Sequence, residues 1–210
     1  MPVSAFPGFY DQAPAIAVRD PLADFLGAAA GGVFEYRYAD AVRLAGHSCP
    51  TVASAFLMTR AALAALYGDD LPVRGDIRVD LAEAHDAGVA GVIASIATLI
   101  TGATSDTGFR GLAGQFNRRN KLYFSQPLTH GALRLTRLDS GAAVEVAADL
   151  SSIPGVPRMA ELMRSCLAGQ ASAAEQDEFR ALWQDRVRRL LLDCADDPAV
   201  IRVSRAGALA

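Results

Sequence analysis

The sequence predicts an α+β fold: a mainly antiparallel sheet packed against buried helices, with a helical C-terminal appendage. Three observations lead there. Residues 50–67 and 88–101 carry apolar side chains at helical spacing with almost no charge, so both stretches read as helices buried on most sides. Three stretches with strand-like patterning, 121–126, 132–139 and 142–149, follow one another after those helices instead of alternating with them, which favours antiparallel pairing. Beyond Ser151 the composition changes and amphipathic helix returns.

Taken in order, residues 1–19 are rich in Pro and Gly and are expected to wrap the surface without regular structure. Asp20-Pro21 predicts a helix start, with Asp as N-cap and Pro at the first helical position, running to about Ala30 before Gly31-Gly32 stops it. Val33 to Tyr38 mixes aromatic and β-branched residues with charges and reads as a short strand. The 50–67 helix holds one charge, Arg60, and ends at Gly68-Asp69-Asp70. Val73 to Leu81 alternates as a strand, with Ile77, Val79 and Leu81 on one side and Arg78 and Asp80 on the other. A Gly-rich loop spans 102–120, and Ser140-Gly141 suits a tight hairpin turn. A Pro-containing link leads to a helix at 157–168 ended by Gly169. Ser172 and Glu175 form a capping box opening a longer helix, whose apolar line runs Phe179, Leu182, Trp183, Val187, Leu190, Leu191 and Cys194. Val200 to Val203 is a candidate final strand. The expected organisation is a core over 1–150 with a helical segment, 151–210, packed on it.

Composition narrows the function classes. The chain is 51% hydrophobic and 20% charged, the balance of a globular protein with a well-stocked core. A net charge of -3 supplies no global field toward nucleic acid or an anionic membrane. The uncharged run from Ala87 to Ser105 has a strongly apolar part of about 14 residues, short of the roughly 20 that a bilayer needs, and reads as core. Three cysteines, Cys49, Cys166 and Cys194, are odd in number and far apart, which describes no disulfide framework and fits a reducing, cytoplasmic compartment. The N-terminus lacks the basic start and apolar run of a signal peptide.

His47-Ser48-Cys49-Pro50 is the cluster best suited to chemistry. Pro50 fits the first helical position, which makes Cys49 or Ser48 the N-cap, where backbone N–H groups and the helix dipole favour a thiolate. In an extended segment His47 and Cys49 face the same side, so they suit a shared borderline-soft metal, or an imidazole base serving a thiol nucleophile. The same residue types also describe an ordinary buried Cys beside an unrelated surface His.

The run Gly46-His47-Ser48-Cys49-Pro50, a long helix, and then Thr101-Gly102-Ala103-Thr104 before a Gly-containing loop and Lys121 resemble the FmdE family, the proteins named for one of the subunits of formylmethanofuran dehydrogenase. The resemblance covers roughly 35–150. Its first motif is G-H-x-C-P-G at a helix start, and its second resembles T-G-C-T-x-G at a helix end. Thr51 stands where the family has Gly, and Ala103 where the second motif has Cys; the cysteines of the family's C-terminal zinc finger are absent. The resemblance implies that His47 and Cys49 are the active-site or metal-binding pair. It also places the joint Glu83-Ala84-His85-Asp86 opposite them, which makes His85 the candidate third ligand, with Glu83 or Asp86 to complete an open site; the same residues also describe a solvated polar turn with Asp86 as a helix cap. A homodimer is implied as well.

Thr101 to Gly111, with Thr101, Thr104 and Arg110, could cradle an anionic group of a cofactor or substrate through backbone N–H groups and a guanidinium, or form a lid. Asn117-Arg118-Arg119-Asn120-Lys121 is a compact basic cluster suited to a phosphate or carboxylate, or a solvated turn. The functional expectation is a metal-binding protein, most simply of Zn²⁺, acting on a small carbonyl or one-carbon substrate. Two alternatives are a non-enzymatic binder of haem or a metal cofactor, with His47 or Cys49 as axial ligand, and an accessory subunit with a vestigial site.

Overall fold

Two glycine-flanked helices with scarcely a charge between them organise the chain. The computed structural model describes residues 6–206. Helix α3 (Pro50–Tyr67) and helix α4 (Ala90–Thr101) pack against each other and on one face of a five-stranded sheet. α3 buries side chains all round, among them Val52, Phe56, Leu57, Met58 and Leu63, as its lack of a polar face requires. Its one charge, Arg60, reaches the surface and pairs with Asp196 at 2.6 Å.

The sheet runs in the order β4-β3-β5-β6-β7, formed by β3 (Ile77–Leu81), β4 (Leu122–Tyr123), β5 (Leu133–Arg137), β6 (Ala143–Ala148) and β7 (Ile201–Ala206). All pairings are antiparallel except β3 with β4. Register follows the pleat: Ile77, Val79, Leu81, Leu133 and Leu135 are buried against the helices. The opposite face carries Asp80, Arg134 and Glu145 side by side across three strands. Asp80 is wholly buried yet bonded by Arg78 at 2.8 Å and Arg134 at 3.2 Å, while Glu145 accepts the backbone N–H groups of Thr129 and His130.

Three features differ from the sequence expectation. Residues 6–19 are ordered: a 3-10 turn at Gly8–Gln12 buries Tyr10, and β1 (Ile16–Arg19) pairs with β2 (Val33–Tyr36) in a separate two-stranded sheet. The strand was hidden because only Ile16 and Val18 show alternation; residues 1–5 of that stretch lie outside the described residues. The helix after Asp20, α1 (Pro21–Phe25), closes early because Gly27 takes a left-handed φ of 66° and turns the chain. Val73 makes only an isolated bridge with Arg19, and 74–76 form a turn, not strand, because Gly75 sits at φ 91°.

A further helix, α2 (Tyr38–Ala45), was not expected, although Tyr38, Ala41, Val42 and Ala45 fall at helical spacing over its two turns; the Asp40 carboxylate accepts the Arg37 N–H at 2.9 Å and starts it. The C-terminal segment contributes α5 (Pro157–Leu167), α6 (Ala173–Arg188) with its Ser172–Glu175 capping box, and a π turn at Arg189–Asp193. It also supplies β7, and its Val187, Leu190, Leu191 and Ile201 join the same hydrophobic cluster as α3 and α4. No helix among the described residues is long and apolar enough to cross a membrane.

Asp20 ties the small sheet to the rest. One carboxylate oxygen caps α1 through Leu22 N and Ala23 N and accepts Arg118 Nη2 at 2.5 Å; the other accepts Arg74 Nη1 at 2.8 Å. Burial opposes ionisation of this carboxyl, but the Arg74 hydrogen bond and the two guanidinium charges prevail and hold its pKa below the ordinary value. Because the folded value is depressed, the stabilisation is complete above the unfolded pKa of about 3.9, begins to decline below it and is lost as pH falls through the lower folded value. Asp20→Ala should therefore lower stability by about 3–5 kcal/mol at neutral pH, having stranded two guanidiniums and lost a cap. Urea denaturation at pH 7 and pH 3 checks this, and the difference between wild type and variant should shrink at the lower pH.

Candidate functional site

The Cys49 segment is built by two helix ends meeting. Gly46 adopts φ 73° and ends α2, with its N–H returning to Val42 O at 2.9 Å. His47 and Ser48 then cross to α3. Cys49 is extended (φ −151°, ψ 168°) and is the N-cap of that helix, with Pro50 at the first helical position. The Val52 N–H donates to Cys49 Sγ at 3.4 Å, so the thiol takes the role usually held by a Ser, Thr or Asp oxygen. His47 is exposed, with ring Nδ1 3.0 Å from Ala45 O.

Ser48, between them, is the better connected residue. Its Oγ donates to Gln184 Oε1 at 3.2 Å and lies 2.9 Å from the Tyr38 hydroxyl. Because the one Ser48 proton goes to Gln184, the Tyr38 phenol is the donor in that pair. The Tyr10 hydroxyl donates to the same Gln184 oxygen at 3.2 Å, and Trp183 Nε1 donates to Ser48 O at 2.8 Å. Burial raises the pKa of both phenols, of Tyr38 most, so they remain protonated donors across the physiological range. Helix α6 is thereby fastened to the motif segment.

Behind this segment lies a cavity of about 250 Å3, walled by the first turns of α3 (Thr51, Ser54, Met58), the start of α4 (Ala90, Ile93) and Leu81 of β3. The lining is mostly apolar, with Glu83 as its only charged side chain. On the outer side of α4 runs a wider groove of about 530 Å3, bordered by Leu44, Leu99, Phe124 and His85. Neither His47 nor Cys49 forms part of either wall.

The expected metal centre is not assembled. Among the described residues, no three His, Cys, Asp or Glu side chains come together as ligands. The reason is directional. Cys49 Sγ turns back over its own helix to cap it, and His47 Nδ1 turns to a backbone carbonyl. His85 has a side chain 78% exposed and rests edge-on against Phe124, while Asp86 lies 3.9 Å from it at the surface. The donor set of His47, Cys49 and His85 does not fit a transition metal in this arrangement, and neither His47 nor Cys49, the expected axial ligands of haem, lines the cavity or the groove.

The loop 101–111 does not cradle an anion in the manner expected. Thr101 is buried, donating to Ala97 O and accepting Ala103 N–H. Thr104 donates to Arg118 O at 2.8 Å, and its own carbonyl accepts Lys121 N and Leu122 N. Arg110 is exposed. The two threonines are thus fasteners for the 117–122 segment. Sequence reasoning missed Ser48, Gln184 and Trp183 as partners, because their pairing spans some 135 positions and leaves no local signal.

No family model matches the sequence, and comparison with curated proteins finds no match.

If the thiol serves as a cap, Cys49→Ser should retain stability while Cys49→Ala loses about 1 kcal/mol, read from urea denaturation midpoints. Elemental analysis after dialysis against zinc should give well under one equivalent of metal, the same in wild type, His47→Ala and Cys49→Ser.

Proposed function

We propose that this chain is a small-molecule binding protein of FmdE-like architecture, whose ligand cavity is the apolar cleft between the amino-terminal ends of α3 and α4. The observation that carries this reading is the cleft itself, bordered by α3, α4 and the sheet, mostly apolar, and with one charged group at its edge. The first motif behind the resemblance supports it by where it lies, Gly46 to Pro50 running into the start of α3 beside Thr51, whereas Thr101 to Thr104 lies at the far end of α4, away from the cleft. In this reading Cys49 is the cap of the helix that walls the cavity, not a nucleophile, and His47 is a surface residue.

The size of the cleft selects the ligand class. At about 250 Å3 it lies below the span of drug-sized sites, roughly 300–1,000 Å3, and suits a single small apolar group. Glu83, a hydrogen-bond acceptor and an anion, favours a polar end that donates or is cationic, such as an amine. A carboxylate end would meet repulsion there.

Three probes of one shape separate these terms: benzylamine, benzyl alcohol and benzoate, followed by saturation-transfer NMR and by the emission of Trp183, the chain's one tryptophan, bonded to the Ser48 carbonyl. Benzylamine should bind best and benzoate worst. Thr51→Leu, which narrows the mouth, should weaken benzylamine about tenfold, and Glu83→Gln should erase its advantage over the alcohol, about 1.5–3 kcal/mol for a charged hydrogen bond. Failure of all three probes to saturate, or indifference to Thr51→Leu, refutes the reading.

A further inference from the structure

A second pocket shares no lining residue with the apolar cleft and has a different character. It measures about 360 Å3 and is bordered by Arg74, Arg118, Lys121, Asn117, Asp76 and Phe116. Three cations therefore meet two carboxylates, Asp20 behind the wall and Asp76 in it, which leaves one positive charge over.

Arg118 is the unusual member. Its side chain is only 7% exposed, and although Nη2 is paired with Asp20, Nη1 is buried with no acceptor among the described residues. Buried guanidinium donors left unmet are costly, so a native chain that retains one generally has a use for it. The backbone has been shaped around this group. Gly75, at φ 91°, has no room for a Cβ because Arg118 Nη1 fills the place, and a Cβ on Gly102 would lie 3.1 Å from guanidinium nitrogens of both Arg118 and Arg74. Thr104 fixes Arg118 from behind by taking its carbonyl into two hydrogen bonds. Lys121 Nζ donates to Gly75 O and is part-buried, and burial lowers its pKa. The Asn117 Oδ1 accepts from Arg119, leaving its amino group unengaged among the described residues and available as a donor.

The rim supplies the rest of the recognition. Phe116 lines the pocket, and Phe25, 68% exposed, stacks on it with ring centroids 5.5 Å apart. An exposed Phe25 beside a half-buried Phe116 at the mouth of a cationic pocket offers a flat ring a surface while its anionic group is held inside.

We propose that this pocket binds a phosphate monoester carrying a flat ring, with the phosphoryl group held by Arg118, Arg74, Lys121 and Asn117 and the ring against Phe116. The buried Nη1, the donor the protein leaves unmet, adds positive charge just behind the pocket wall. Asp76 disfavours any ligand that extends a second anionic group along its side of the wall.

Arg118 and Arg74 are poor test positions because removing either leaves Asp20 short of a partner and threatens folding. The test uses phenyl phosphate, inorganic phosphate and phenol as probes, by isothermal titration and by the 31P line width, on wild type, Lys121→Gln and Phe116→Ala of verified thermal stability. Phenyl phosphate should bind wild type tighter than inorganic phosphate, and phenol should not bind. Lys121→Gln should weaken both phosphates about tenfold or more. Phe116→Ala should weaken phenyl phosphate alone. Absence of saturable binding by either phosphate, or binding unchanged in Lys121→Gln, overturns the site. Equal affinity for the two phosphates, or equal loss in Phe116→Ala, overturns the ester in favour of free phosphate.

Discussion

A single carboxylate, that of Asp20, joins parts of the chain that otherwise have little to do with one another. It caps a short helix, accepts Arg74 from the turn before β3, and accepts Arg118 from the far end of the long loop. Arg74 in turn reaches the Leu99 carbonyl near the end of α4. Surface pairs such as Arg180 with Asp177 are each worth about 0–1 kcal/mol, because water screens them and both side chains lose freedom. The Asp20 cluster differs in kind. Its partners are withdrawn from water, so breaking it leaves charge without compensation. The small sheet, the 73–76 turn and the loop after α4 hold their positions through it.

How far the sequence told this in advance depended on range. The α3 boundaries, Pro50 to Tyr67, were legible because a helix without a polar face leaves no alternative burial, and because Pro and Gly mark its ends. The hairpin of β5 and β6 was legible from alternation and the Ser140-Gly141 turn, where Gly141 takes φ 72°. β1 was not, since two apolar residues in a Pro-rich stretch make too short a pattern. The strand expected over 121–126 shrank to Leu122–Tyr123, because Ser125 adopts a positive φ and the chain leaves the sheet edge there.

The site shows the same division more sharply. That Cys49 or Ser48 caps α3 was readable from Pro50, and the fold assigns the cap to Cys49. Which way its sulfur points was not, since a side chain at an N-cap can face outward to a ligand or inward to its own helix. Here the Val52 N–H draws it inward, and a His two positions away gains nothing from adjacency. The basic run at 117–121 is cationic on sequence grounds, but only the fold separates Arg118, sunk between two glycines, from its half-buried neighbour Arg119.

The placement of β7 has a consequence for how the molecule comes into being. Synthesis proceeds from the amino end, so β3, β5 and β6 emerge early and can zip together soon after. The strand that flanks β6 arrives only after all of α5 and α6 have been made. Until then β6 presents a bare row of backbone donors and acceptors, and α3 lacks part of the surface that covers it. A nascent chain at that stage is an invitation to strand exchange with its neighbours on the same messenger. Slower elongation through α5 and α6 prolongs that exposure of the β6 edge.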